Sequence, residues 1–308
     1  MTSWIARAAL PALAAALLAG AVAQAASGQE SDELAQLTGT LKKIKATKTI
    51  AIGYRESSVP FSYLNAAHQP IGYSIDLCLQ IAEDIRGELG DDTIQVKYVM
   101  VNTQNRIPGV VDGTVDLECG QTTNNTERQK LVAFSPIIFV SGTKLLVKQA
   151  SKLKSYRDLK GRRVGVTPAS TNEAALKSLN AKEGLNITIV EFQDNAQAFE
   201  AVDSGKTDAW AGDDAVLYAT VAEAKNPREF SVLDDFLSYD PYGIMYRKSD
   251  PEFDALVNRT FVRLAETREL ARIYEQWFLR KLPSGRTLGL AMSPQLRSIF
   301  ELMGQPTE

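Results

Sequence analysis

The sequence holds one histidine, His68, and two cysteines, Cys78 and Cys119, among 308 residues. That scarcity argues against metal centres built on histidine clusters and against histidine-activated nucleophiles. His68 lies in the turn-like stretch 65–70, where a solvent-exposed position accounts for it. Two cysteines are too few for a disulfide scaffold. Each falls in a segment that reads as core, so two buried thiols and one bridge between them are both compatible with the sequence. No basic tract and no basic face interleaved with aromatics is present, which argues against nucleic acid as a partner. Beyond residue 25 no apolar run approaches the length that a bilayer crossing needs.

The first 25 residues are different. They combine one charge, Arg7, an apolar run over residues 8–23 and the small-residue pattern Ala23-Gln24-Ala25. This is the layout of a cleaved secretory signal peptide, residues 1–25, and with no cysteine near the cleavage point a lipid anchor is not expected there. The 34 basic residues less Arg7 leave 33 against 37 acidic ones, a net charge of −4. The mature chain is expected to be soluble and exported.

Downstream, strand-like and helix-like segments alternate, the doubly wound α/β signature. Residues 49–54 read as a strand, 74–89 as an amphipathic helix with Ile75, Leu79, Ala82, Ile85 and Leu89 on one face, and 94–101 as the next strand. A second unit of the same build follows. It has a strand ending at Val166, a helix capped by Ser170 or Thr171, a strand over 187–192, a helix over 195–204 and a strand over 209–212 that delivers Asp213 and Asp214. The stretches 139–147 and 237–246 read as extended. Asp250-Pro251-Glu252 supplies an N-cap, a proline in the first position and an acidic first turn for a helix that can run to Trp277. The tail over 283–308 contains a short helix, residues 293–303.

Functional signal concentrates in residues 101–136. Pro108 is tolerated only in a helix's first turn, which puts Arg106 at a helix N-terminus. The apolar segment 114–119 reads as a buried strand, after which Asn125 caps a helix over 126–132 with Arg128 in its first turn. Helix starts present free N–H groups and the positive dipole end, and a guanidinium adds a planar fork that fits a carboxylate. Such a segment suits an anion, although a lone arginine in that place is most often a solvated charge. Arg55 sits just beyond the strand over 49–54, where open α/β sheets bind ligands.

With these residues in view, the mature chain resembles the periplasmic amino-acid-binding proteins of ABC importers, and among them the glutamate/aspartate-binding branch. The resemblance rests on GYRESSVPFSY at 53–63, TQNRIP at 103–108, CGQTTNNTERQK at 119–130, Leu159-Lys160-Gly161, Asp213-Asp214-Ala215 and Tyr242-Gly243. It implies the two-lobe type II binding-protein fold, an α/β architecture whose lobes are joined by two extended crossings near 140–146 and 238–245. Lobe 1 is expected to comprise residues 47–141 and 242–282, lobe 2 residues 142–241, with 283–308 as a C-terminal tail.

The resemblance also implies roles. Arg128, Thr123 and Thr171 hold the α-carboxylate of one amino acid; Asp213 receives the α-ammonium, helped from Gln121; Arg55, Arg106 and the hydroxyl of Thr103 grip the side-chain carboxylate. In this branch serine is usual where Gln121 and Thr103 stand, and a histidine touches the side-chain carboxylate where Asn195 stands. Asparagine donates a hydrogen bond but never becomes a cation. Glutamate, aspartate and their amides therefore stay open as ligands. No catalytic residue, metal or cofactor is expected; the partners expected are an acidic amino acid and, transiently, a membrane-embedded ABC permease, with the protein itself a monomer. The competing enzyme reading is a periplasmic dehydratase of prephenate-like acids on the same fold, against which no carboxylate and histidine pair converges.

Overall fold

The computed structural model describes residues 37–307. The signal peptide expected at 1–25 lies outside the described residues. The chain opens with α1 (Gly39–Thr47), β1 (Thr49–Tyr54), a small antiparallel meander of β2 (Ser57–Ser58), β3 (Ser62–Leu64) and β4 (Pro70–Ile71), and α2 (Tyr73–Leu89). It continues through β5 (Gln95–Met100), α3 (Arg106–Val111), β6 (Leu117–Glu118), α4 (Thr126–Gln129) and β7 (Val132–Phe134) to the first crossing, β8 (Phe139–Ser141). The second lobe contains β9 (Thr143–Lys148), β10 (Arg163–Val166), α5 (Thr171–Glu183), β11 (Thr188–Glu191), α6 (Asn195–Asp203), β12 (Ala209–Asp213), α7 (Asp214–Glu223) and β13 (Phe230–Val232). The return crossing is β14 (Asp240–Tyr242), and β15 (Met245–Arg247), α8 (Pro251–Glu266), α9 (Glu269–Phe278) and α10 (Pro294–Leu302) complete the chain.

Each lobe is built on a five-stranded sheet, β5-β1-β6-β15-β7 in the first and β11-β10-β12-β9-β13 in the second. In both, the first three strands of the order run parallel and the next is antiparallel. The parallel strands end toward the cleft, so the residues that follow β1, β6, β10 and β12 are delivered to it, as the C-terminal edges of α/β sheets require. β8 and β14 pair antiparallel and carry the chain from one lobe to the other and back.

An aromatic cluster anchors the crossings on the first-lobe side. Phe139 of β8 lies 4.9 Å from Phe61 and 4.9 Å from Phe278, and Tyr242 of β14 lies 5.2 Å from Phe61. Rings of this size dominate the burial free energy of a core, so the crossings start from a fixed base. A disulfide joins Cys78 of α2 to Cys119 just after β6, which resolves the two readings of the cysteines in favour of a bridge.

Local chemistry explains several helix boundaries. Ser170 accepts from the backbone N–H of Glu173 at 3.0 Å and caps α5, while Gly184 closes it in the left-handed region. Asp194 caps α6 and Asp250 caps α8, with Pro251 in the first turn.

Three segments differ from the sequence expectation. The helix expected to run to Trp277 breaks at Thr267 and Arg268, where Arg268 adopts φ 61°. No glycine or proline marks that break; it lets Leu270, Tyr274 and Phe278 of α9 turn onto the aromatic cluster. The helix expected over 126–132 ends at Gln129, because Val132–Phe134 pairs with β15 instead. The strand expected over 114–119 pairs only at Leu117 and Glu118. The short tail helix is present as α10 and buries Leu296 and Phe300.

Candidate ligand-binding site

Eight of the nine residues singled out from the sequence line one small cavity between the lobes: Arg55, Thr103, Arg106, Gln121, Thr123, Thr171, Asn195 and Asp213. Arg55 follows β1, Thr103 and Arg106 precede and open α3, and Gln121 and Thr123 follow β6. From the other lobe Thr171 opens α5, Asn195 opens α6 and Asp213 closes β12. Thr167, Ser170 and Asn172 complete the lining.

Arg128, the ninth, does not line the cavity. It is buried behind Thr123, with Nη1 donating to the Thr123 carbonyl at 2.8 Å and its backbone N–H donating to Asn125 Oδ1 at 2.9 Å. Thr123 in turn donates to Asp240 Oδ1 at 3.1 Å, which leaves Thr171 to donate across the cleft to Thr123 at 3.2 Å.

Asn195 lines the cavity and also reaches the opposite lobe. Its amide nitrogen lies 3.2 Å from Ser58 Oγ and 3.4 Å from the Ser57 carbonyl, so it binds the opposite lobe directly. Together with the Thr123–Thr171 contact this holds the lobes closed. The cavity left between them measures about 10 Å³, room for about one water, so the lobes must part to admit a ligand.

The charges are arranged by wall. Arg55 and Arg106 are buried on the first lobe. Burial, and after it the neighbouring Arg106 charge, brings Arg55 down to about 10; burial also lowers Arg106. Arg128 comes down to about 10 for the same two reasons. Guanidinium groups held together out of water lower one another's preference for the charged form, and an anion between them relieves that cost. On the facing wall, Asp213 is pushed up to about 6, first by burial and then by the charge of Asp240. Asn172 donates to Asp213 Oδ1 at 2.9 Å and to Thr143 Oγ1 at 2.9 Å, which fixes the carboxylate toward the cavity. Asp213 makes no side-chain cap on α7.

Several buried polar atoms here have no hydrogen-bond partner: Thr103 Oγ1, Arg106 Nε, Gln121 Oε1 and Glu118 Oε1. Buried polar groups are nearly always paired, so this cluster marks a place built for a polar molecule. The first-lobe wall holds the guanidinium donors Arg55 and Arg106 beside the acceptor Gln121 Oε1, and the facing wall holds the Asp213 carboxylate, which suits a small zwitterion with an added negative end.

Sequence reading passed over Asn172, which looks like an ordinary first-turn residue, and Glu118. A charged residue between Leu117 and Cys119 was the available signal, since acidic side chains are almost never fully buried without a partner.

The pattern describing bacterial extracellular solute-binding proteins, family 3, matches residues 50–280. The chain is 42% identical over 275 residues to an L-glutamate/L-aspartate-binding protein of Pseudomonas aeruginosa, covering 89% of this chain and 90% of that one. It is 37% identical over 283 residues to a glutamate/aspartate import solute-binding protein of Escherichia coli, covering 91% and 94%. Among solved structures it is similar to an ancestral amino acid-binding protein, a precursor of cyclohexadienyl dehydratase, with a TM-score of 0.65, 32% identity and coverage of 78% and 99%. The lobes, the crossings and the lined cleft thus agree with these matches, and the chain belongs to the bacterial extracellular solute-binding proteins of family 3.

Proposed function

We propose that the protein captures an acidic amino acid, glutamate or aspartate, between its lobes and delivers the closed form to an ABC permease. The observation that carries this reading is the pair of buried guanidinium groups, Arg55 and Arg106, on one wall of a cleft whose other wall presents Asp213. Two carboxylates and one ammonium match that division of donors and acceptor. The names of the relatives from P. aeruginosa and E. coli agree with it.

In this reading the hinged bodies are residues 47–141 with 242–282, and 142–241. Arg55, Arg106 and Thr103 take the side-chain carboxylate. Thr123 and Thr171 take the α-carboxylate, with Arg128 supplying charge from behind Thr123. Asp213 takes the ammonium, with Gln121 beside it. Asn195 has a double task, since the amide that meets Ser58 stands at the same cavity. A ligand that touches both lobes favours closure by its differential affinity for the closed state. In this reading the protein works as a periplasmic monomer and as a carrier; His68 sits in the 65–70 turn with φ 56°, on a segment that does not line the cleft.

A thermal-shift panel of the common amino acids tests this. Glutamate or aspartate above its Kd raises the melting temperature, by an amount that grows with the logarithm of ligand concentration. Equal or greater stabilisation by glutamine or asparagine establishes an amide binder instead, and turnover of a prephenate-like acid establishes a dehydratase.

A further inference from the structure

Glu118 has no part in the assignments above, yet it is fully buried in the sheet, opposite Gly53 of β1 and Met245 of β15. Its Oε2 accepts from the hydroxyl of Thr122 at 2.6 Å. The same hydroxyl accepts from Arg106 Nη1 at 2.7 Å, and Thr122 is itself fully buried. A guanidinium only donates and an ionised carboxylate only accepts, so the single hydroxyl proton has one place to go. The chain of bonds therefore has a fixed sense, from Arg106 to Thr122 to Glu118.

This arrangement occupies Nη1 of Arg106 and leaves Nε without a partner. Nε belongs to the edge of the guanidinium that grips a carboxylate through two parallel bonds. The carboxylate is also held close to Arg55: a Cβ at Gly120 would lie 2.4 Å from Glu118 Oε1 and 3.1 Å from Arg55 Cγ. Burial disfavours the charged form of Arg55, Arg106 and Arg128, and the Glu118 charge opposes that in each of them.

We propose that Thr122 and Glu118 form a positioning relay that turns the bidentate edge of Arg106 into the cleft and thereby sets the preference for a ligand bearing a second carboxylate. The proposal rests on the acidic-amino-acid reading of the site. Neither residue touches the ligand; both act through Arg106.

The test is calorimetric titration of the full mature protein with glutamate and with glutamine. Thr122→Val lowers glutamate affinity at least about tenfold, the scale of one hydrogen bond to a charged group, and leaves glutamine affinity within about threefold. Thr122→Ser, which keeps the hydroxyl, restores the glutamate value. In an Arg106→Ala background Thr122→Val has no further effect, because the residue it acts through is gone. Glu118→Met, which keeps the volume but removes the acceptor, also weakens glutamate. Equal losses for both ligands, an additive loss in the Arg106→Ala background, or tighter glutamate binding by Glu118→Met overturns the relay. Failure of the wild-type protein to bind glutamate would instead overturn the functional reading on which the relay rests.

Discussion

The Asp213 carboxyl makes ligand affinity depend on pH in a direction that can be worked out. Burial and the Asp240 charge push it up to about 6 in the ligand-free cleft. An ammonium placed beside it favours the ionised form, so the bound-state value lies below the free one. Ligand binding therefore expels a proton when the pH lies between the lower bound-state value and the free value of about 6. Affinity falls by up to about tenfold for each pH unit below the free value, until the bound-state value is reached. The ligand's own side-chain carboxyl titrates near 4.3, so about one-sixth of free glutamate is protonated at pH 5 and adds only that share to the proton release. Titration calorimetry with glutamate at pH 7 and pH 5, in two buffers of different ionisation enthalpy, measures both affinity and protons released. The expected outcome is weaker binding at pH 5 with release of close to one proton. Unchanged affinity with no proton release refutes the assignment of Asp213 as ammonium acceptor. Asp213→Asn should bind weakly and lose this pH dependence.

Arg55→Ala should reduce the preference for glutamate over glutamine by about 10- to 100-fold, the range for hydrogen bonds to charged groups; full retention of that preference, measured by calorimetry, places the side-chain subsite elsewhere. Arg128→Ala should abolish binding of every amino acid tested by thermal shift, since Thr123 loses its support along with the charge. Gly142→Ala puts a Cβ 2.4 Å from the Ser238 carbonyl oxygen, where the two crossings meet. Small-angle scattering with saturating glutamate should then show incomplete closure, and a compact liganded form identical to wild type counts against tight contact at that point. Replacing both Cys78 and Cys119 by serine opens a loop of 41 residues and should cost about 4 kcal/mol by chain entropy, read as a lower denaturant midpoint.

Much of the site was legible because its residues stand where local rules put them. Arg55 follows a strand, Pro108 fixes the start of α3 and hence Arg106, and Asp213 ends the strand β12. Motifs at 53–63 and 119–130 added the roles that position alone does not carry. Pairings through space left no local mark. Nothing in the sequence shows that the Asn195 amide reaches Ser58, 137 residues away. Nor does the spacing of Thr122 and Glu118 reveal that one hydroxyl links that carboxylate to Arg106. The break at Arg268 was equally silent, because an arginine holds the left-handed conformation there where glycine would have announced it. The cysteines show the same limit: their burial followed from pattern, whereas their bridging depended on how α2 packs against β6.

The most direct measurement is the ratio of glutamate to glutamine affinity in the wild-type protein at neutral pH. The two ligands differ only at the group that Arg55 and Arg106 are held to receive. A single-site titration with glutamate at least about tenfold tighter than glutamine is the predicted result. Equal affinities, or tighter binding of glutamine, would contradict the account.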